Sequence, residues 1–175
     1  MKPITRRHVL RRFARNSEGV AAVEFGIVLL PFLAILFVIL ETAIVFFAGQ
    51  LLETGVADAA RLIRTGQAQD SDLSSSDFKE AICANVFALL DCEAGLKVDV
   101  RRLESFGTSV PSPIDDSGDF SADDFTFDPG TGGEVVLVRA FYEWPIIVPH
   151  LGSPGNLTNG NYLLAATATF RNEPF

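Results

Sequence analysis

Between Val20 and Ala48 the chain carries only two charged residues, Glu24 and Glu41, and from Phe25 to Leu40 it carries none. About 20 apolar residues are enough to cross a bilayer as a helix. The core helix of a soluble protein is normally shorter and keeps a polar stripe, so this segment predicts a single membrane span. Charge gives it a direction. Residues 1–19 hold six bases (Lys2, Arg6, Arg7, Arg11, Arg12 and Arg15) against Glu18, while residues 20–175 hold eight bases against 21 acids. The positive-inside rule then places the N-terminus in the cytoplasm and everything after about residue 48 outside. An acidic body repels phosphate and the basic block is short and tied to the apolar run, so no nucleic-acid partner is expected. Fifteen Phe and abundant Val, Ile and Leu argue against disorder.

Three ways of processing such a segment differ in where they cut. A secretory signal peptide needs a short apolar core followed by small residues; here the run is too long and ends in Phe46-Phe47-Ala48. A twin-arginine export signal is loosely suggested by Arg6-Arg7, but the apolar core starts a dozen residues later and the small-residue site is again missing. The third cut lies on the cytoplasmic side, between Gly19 and Val20, and leaves the helix as a permanent anchor. A carboxylate one turn inside apolar surroundings costs about 2.5–3.5 kcal/mol at the bilayer centre and less near an interface. Glu24 therefore either finds a cation, such as the α-amine that cleavage would create on Val20 of the same or a neighbouring subunit, or sits in the headgroup zone. Seventeen residues separate it from Glu41, about 26 Å of helix, so both acids could also lie near opposite faces of a ~30 Å hydrocarbon layer.

Glu18-Gly19-Val20-Ala21-Ala22-Val23-Glu24-Phe25 looks like a type IV prepilin cleavage site. The wider stretch Arg12 to Leu33, its continuation Leu51-Leu-Glu-Thr-Gly-Val-Ala-Asp-Ala-Ala-Arg-Leu-Ile-Arg-Thr-Gly66, and the ending Ala165 to Phe175 resemble the TadE-like family, minor pseudopilins of tight-adherence (Tad/Flp) pilus systems. The resemblance covers about residues 12 to 66 and the last ten or so. It implies cleavage at Gly19 and Val20 by a prepilin peptidase and assigns Glu24 as the assembly carboxylate. It also places Phe25 where the family often has Tyr, keeping the ring and losing the hydroxyl. It further implies other pilin or pseudopilin subunits and the Tad secretion machinery as partners, and residence in a bacterial inner membrane with the C-terminal part in the periplasm.

Beyond the span, Leu52, Val56, Ala59 or Ala60 and Ile63 recur at helical spacing among charged residues, predicting an amphipathic extension over 49–66 closed by Gly66. Gln67 to Asp72 reads as a polar link. Ser74/Asp77 and Asp77/Glu80 both have capping-box spacing, and Phe78, Ile82, Val86 and Leu89 mark a second helix ending near Leu90-Asp91. Cys83 and Cys92 are the only cysteines, and an even pair in an exported domain favours a disulfide. No metal site is expected, since the two histidines, His8 and His150, are far from the cysteines in sequence.

Strands are predicted over Leu96–Arg101, Glu134–Trp144 and Tyr162–Arg171, with Pro145 and Pro149 breaking the second and a turn-rich connector over Gly152–Gly160. Residues 109–133 hold six Asp and no base; without EF-hand spacing they read as a solvated acidic loop rather than a Ca²⁺ site. No phosphate loop, dinucleotide fingerprint or nucleophile elbow is present, and His150 reads as a turn residue, so neither enzymatic activity nor a cofactor is expected. The expected fold is α+β and pilin-like. A basic leader (1–19), a transmembrane helix (20–48) and its amphipathic extension (49–66) precede an extracytoplasmic headpiece (67–175) with a short helix and a small antiparallel sheet. The two functional expectations are a minor pseudopilin in pilus assembly or initiation and an uncleaved membrane-anchored periplasmic adaptor that docks on a secretion component.

Overall fold

In the computed structural model the apolar segment and its amphipathic continuation form one helix, α1, Val20–Arg64. Residues 19–84, 86, 90–147 and 155–175 are described. The leader before Gly19 with His8, position Leu89, and the stretch with Pro149 and His150 at the start of the connector lie outside the described residues. At ~1.5 Å per residue the 45 residues of α1 extend about 68 Å. The helix runs through Pro31, which cannot donate to the ladder. In its distal part Leu52, Val56, Ala59, Ala60 and Ile63 are all buried, the row that helical spacing selects. The helix closes at Thr65, with Gly66 next in the left-handed region at φ +83°. A Cβ on Gly66 would lie 2.7 Å from the Phe175 ring, so both the backbone and the C-terminal tail need glycine there.

The polar link is itself one turn of helix, α2 (Gln67–Asp70). Ala68 enters the core, and the Gln69 amide donates to the carbonyls of Pro129 and Gly130 at 3.0 and 3.1 Å. Helix α3 (Ser75–Cys83) opens on the first of the two capping boxes. Ser74 caps it, Asp77 answers from the third position, and the Ser74 hydroxyl and N–H hold the Asp77 carboxyl below its ordinary value. Phe78 and Ile82 are buried as expected, but the helix ends at Cys83 rather than near Leu90. The Cys83 and Cys92 Cα atoms are 5.9 Å apart and joined by a disulfide, so the chain turns back between them. Val86 and Leu90 still reach the core. Asp91 caps the one-turn helix α4 (Cys92–Gly95). By chain-entropy reasoning this short loop contributes about 2–3 kcal/mol.

The sheet is antiparallel in the order β1 (Leu96–Leu103), β2 (Val135–Trp144), β3 (Tyr162–Arg171); the architecture is α+β. Strand β2 ends at Trp144 because Pro145 cannot continue the ladder. Period-two alternation gives the sheet two different faces. Val98, Val100, Val136, Val138, Ala140, Leu164 and Ala166 share one core with α1 and α3. The opposite face is covered too, which is why every residue from Val135 to Tyr142 is buried.

That cover is the acidic segment, which reads in the sequence as a solvated loop and in the structure also packs its apolar residues against the sheet. Its six carboxylates are exposed, and Asp115 and Asp128 accept backbone N–H bonds that shape tight turns. Its aromatic residues point the other way. Phe120 and Phe125 stand 5.8 and 5.4 Å from Phe141, and Phe127 lies 5.6 Å from Phe78 of α3. Thr126 and Asp128 exchange backbone bonds with Val100, adding a short parallel strip to the outer edge of β1 and shielding an edge that would otherwise be open.

Candidate assembly segment and its shoulder

Gly19 sits at the mouth of α1 as the N-cap residue, with φ −93° and no side-chain capping bond. A Cβ there would meet nothing within 4 Å, so folding places no demand for glycine at this position. Val20 and Phe25 are exposed, Phe25 by 65%. Glu24 is exposed as well and makes no hydrogen bond or ion pair with any described residue. Of the large hydrophobic residues left exposed among the described residues, fifteen lie between Val20 and Phe47. No part of the most apolar window of α1 is buried by the rest of the chain. The proximal helix is thus an uncovered apolar rod with one carboxylate a turn from its start, and its length and composition fit a single-pass membrane anchor.

Glu41 behaves differently from Glu24. It is only 6% exposed, and its carboxylate accepts the backbone N–H of Ile147, in the turn that follows β2. Spacing alone allowed both acids a place near a face of the hydrocarbon layer; contact with a residue 106 positions away gives Glu41 a different environment. The structure also joins Cys83 to Cys92, within the headpiece and apart from Gly19 and Glu24. About 26 Å of helix divides Glu24 from Glu41, where headpiece contact begins.

A charged cluster that sequence reasoning missed lies under the acidic segment. Asp99 and Arg139 are direct cross-strand partners, and the Asp99 side chain is fully buried. Its carboxylate accepts from Arg139 Nη2 at 2.7 Å and Nε at 3.0 Å, from Arg101 Nε at 2.8 Å and from the Thr126 N–H at 2.9 Å. Arg139 also donates to the Pro111 carbonyl at 2.9 Å and lies 5.5 Å from the Phe141 ring centroid. Arg101 reaches the carbonyl of Asp124. Three of these contacts, from the Thr126 N–H to Asp99, from Arg139 to Pro111 and from Arg101 to Asp124, tie the acidic segment to the sheet. The carboxylate is saturated by its donors, so the cluster is a clamp rather than a reactive group. Among the described residues no three His, Cys, Asp or Glu side chains converge to hold a metal ion.

The sequence of residues 19–61 matches the family model described as TadE-like protein. This is a TadE-like segment. It runs from the N-cap of α1 almost to its C-terminal end and includes Gly19, Val20, Glu24, Phe25 and Glu41. The disulfide, the Asp99 clamp and the ending from Ala165 to Phe175 lie outside it. No curated protein and no solved structure matches the chain.

Proposed function

We propose that this protein is a single-pass minor pseudopilin of a bacterial inner membrane, taking part in assembly or initiation of a Tad/Flp-type pilus. The observation that carries the reading is Glu24: an exposed carboxylate without a partner among the described residues, one turn into an uncovered apolar helix, inside the TadE-like segment. A carboxylate so placed is costly in lipid until it meets a cation. In this mechanism a prepilin peptidase cuts between Gly19 and Val20, removing the basic leader and creating an α-amine four residues before Glu24. A glycine that the fold does not require suits recognition by a protease. Pairing of Glu24 with the Val20 amine of a neighbouring subunit then sets the axial register of helices packing side by side, while the periplasmic headpiece meets other pilin-like subunits and the Tad machinery.

Mass spectrometry of the membrane-extracted protein should find a chain beginning at Val20. An intact leader in cells with an active peptidase would instead favour the uncleaved periplasmic adaptor. Glu24→Ala should insert into the membrane as well as the wild type and lose most piliation; normal piliation in that variant would return Glu24 to the headgroup zone.

A further inference from the structure

Followed outward from Val20, the first buried residue of α1 is Glu41, 21 residues on and about 32 Å along the axis. That distance matches the ~30 Å hydrocarbon layer of a bilayer. At this level the turn after β2 meets the helix through the Ile147 N–H and the Glu41 carboxylate. The Ile147 side chain points away, 80% exposed. Pro145 beside it is exposed, as are Phe46 and Phe47 on α1.

The aromatic distribution marks the same end. The chain has fifteen Phe, placed throughout, but only one Trp and two Tyr. All three lie here: Trp144 and Tyr162 are register partners, and Tyr142 precedes Trp144 by two residues in β2. Tyr142 is buried, with its hydroxyl accepting the Asp91 N–H, and the Trp144 indole nitrogen is buried as well, so these rings brace the turn from the core side and the surface left for lipid is that of Pro145 and Ile147 beside Phe46 and Phe47. The exposed apolar surface is also continuous with the uncovered face of α1 and starts where the hydrocarbon would end, which selects lipid over a soluble protein as its occupant. Glu41, the acid that would oppose such contact, is turned inward onto a backbone donor.

We propose that the Trp144–Ile147 turn, latched to α1 by Glu41, is an interfacial wedge that seats the headpiece on the outer surface of the bilayer. It rests on the reading of α1 as a membrane anchor. One helix leaves a headpiece free to swing about its axis; a second contact fixes its tilt, and with it the face presented to neighbouring subunits.

Single-cysteine additions Ile147→Cys, Leu30→Cys and Phe106→Cys, each labelled with an environment-sensitive fluorophore in the full chain, test this in phosphatidylcholine vesicles carrying nitroxide lipids. Phe106 follows β1 at the end of the sheet away from Trp144. The label at 147 should be quenched by a headgroup-level nitroxide, that at 30 by a deep one, and that at 106 by neither. Adding Glu41→Ala should reduce quenching at 147 and leave that at 30 unchanged. Quenching at 30 without quenching at 147 overturns the wedge and leaves the anchor standing, and a blue-shifted but unquenched label at 147 overturns it in favour of protein contact. Absence of quenching at 30 removes the anchor and the wedge together, and an unaltered signal at 147 in Glu41→Ala overturns the latch.

Discussion

Replacing Asp99 with alanine should destabilise the headpiece by about 3–5 kcal/mol, the range for breaking a buried ion pair by removing one partner. The cost arises from what remains. Arg139, itself nearly buried, keeps its charge and loses two of its donor contacts, Arg101 Nε loses its acceptor, and the Thr126 N–H loses the carboxylate that receives it. Asp99→Asn, which retains one acceptor oxygen, should lose less. Adding Arg139→Met to Asp99→Ala should recover a large part of the loss, because the stranded charge goes with it. Urea titration of the detergent-solubilised full chain, followed by the fluorescence of Trp144, the sole tryptophan, measures all three variants. A loss below about 1 kcal/mol for Asp99→Ala, within the range of exposed pairs, would show that the clamp is hydrated and not a determinant of the fold.

What could be read in the sequence was whatever a local period or a short spacing encodes. The buried row Leu52, Val56, Ala59, Ala60 and Ile63 follows from helical periodicity, the Ser74 box from a three-residue spacing, and the disulfide from a lone pair of cysteines. Strand β1 follows from period-two alternation and β2 from a β-branched and aromatic run. The misses share a different cause. Asp99 in Lys97-Val-Asp-Val-Arg101 looks like an outward polar position, and only pairing with Arg139, 40 residues on, makes it buried. Phe120, Phe125 and Phe127 lie among so many Asp residues that composition hid them; their alternative, an exposed aromatic row, is excluded by burial energetics rather than by any motif. The second helix reads to near Leu90 because Val86 and Leu89 continue the apolar spacing of Phe78 and Ile82, whereas the helix closes at Cys83 with Ala84 as its C-cap. At the candidate assembly segment, Gly19, Val20, Glu24 and Phe25 were legible as residues in a pattern, whereas the different environments of Glu24 and Glu41 depended on tertiary contact.

Phe78→Ala should be as damaging, by about 3–5 kcal/mol, since a fully buried ring is removed from a site whose walls are helices and sheet with little freedom to collapse. The ring joins α3 to the core that includes α1 and touches Phe127, so its loss also loosens the strip 126–128 along β1. That strip is shared with the clamp, because the Thr126 N–H bonds to Asp99 and the Phe127 ring packs on Phe78. The two substitutions are therefore coupled. Phe78→Ala with Asp99→Ala should cost less than the sum of the single losses, as the second change acts on a strip the first has already released. Strict additivity would show that 126–128 holds its place without either anchor. In both variants the span from Val20 to Leu40 should stay inserted, because none of its residues is buried in the headpiece. Helical signal from the membrane should outlast the loss of Trp144 fluorescence contrast, and simultaneous loss of both would mean that the headpiece and the anchor fold as one cooperative unit.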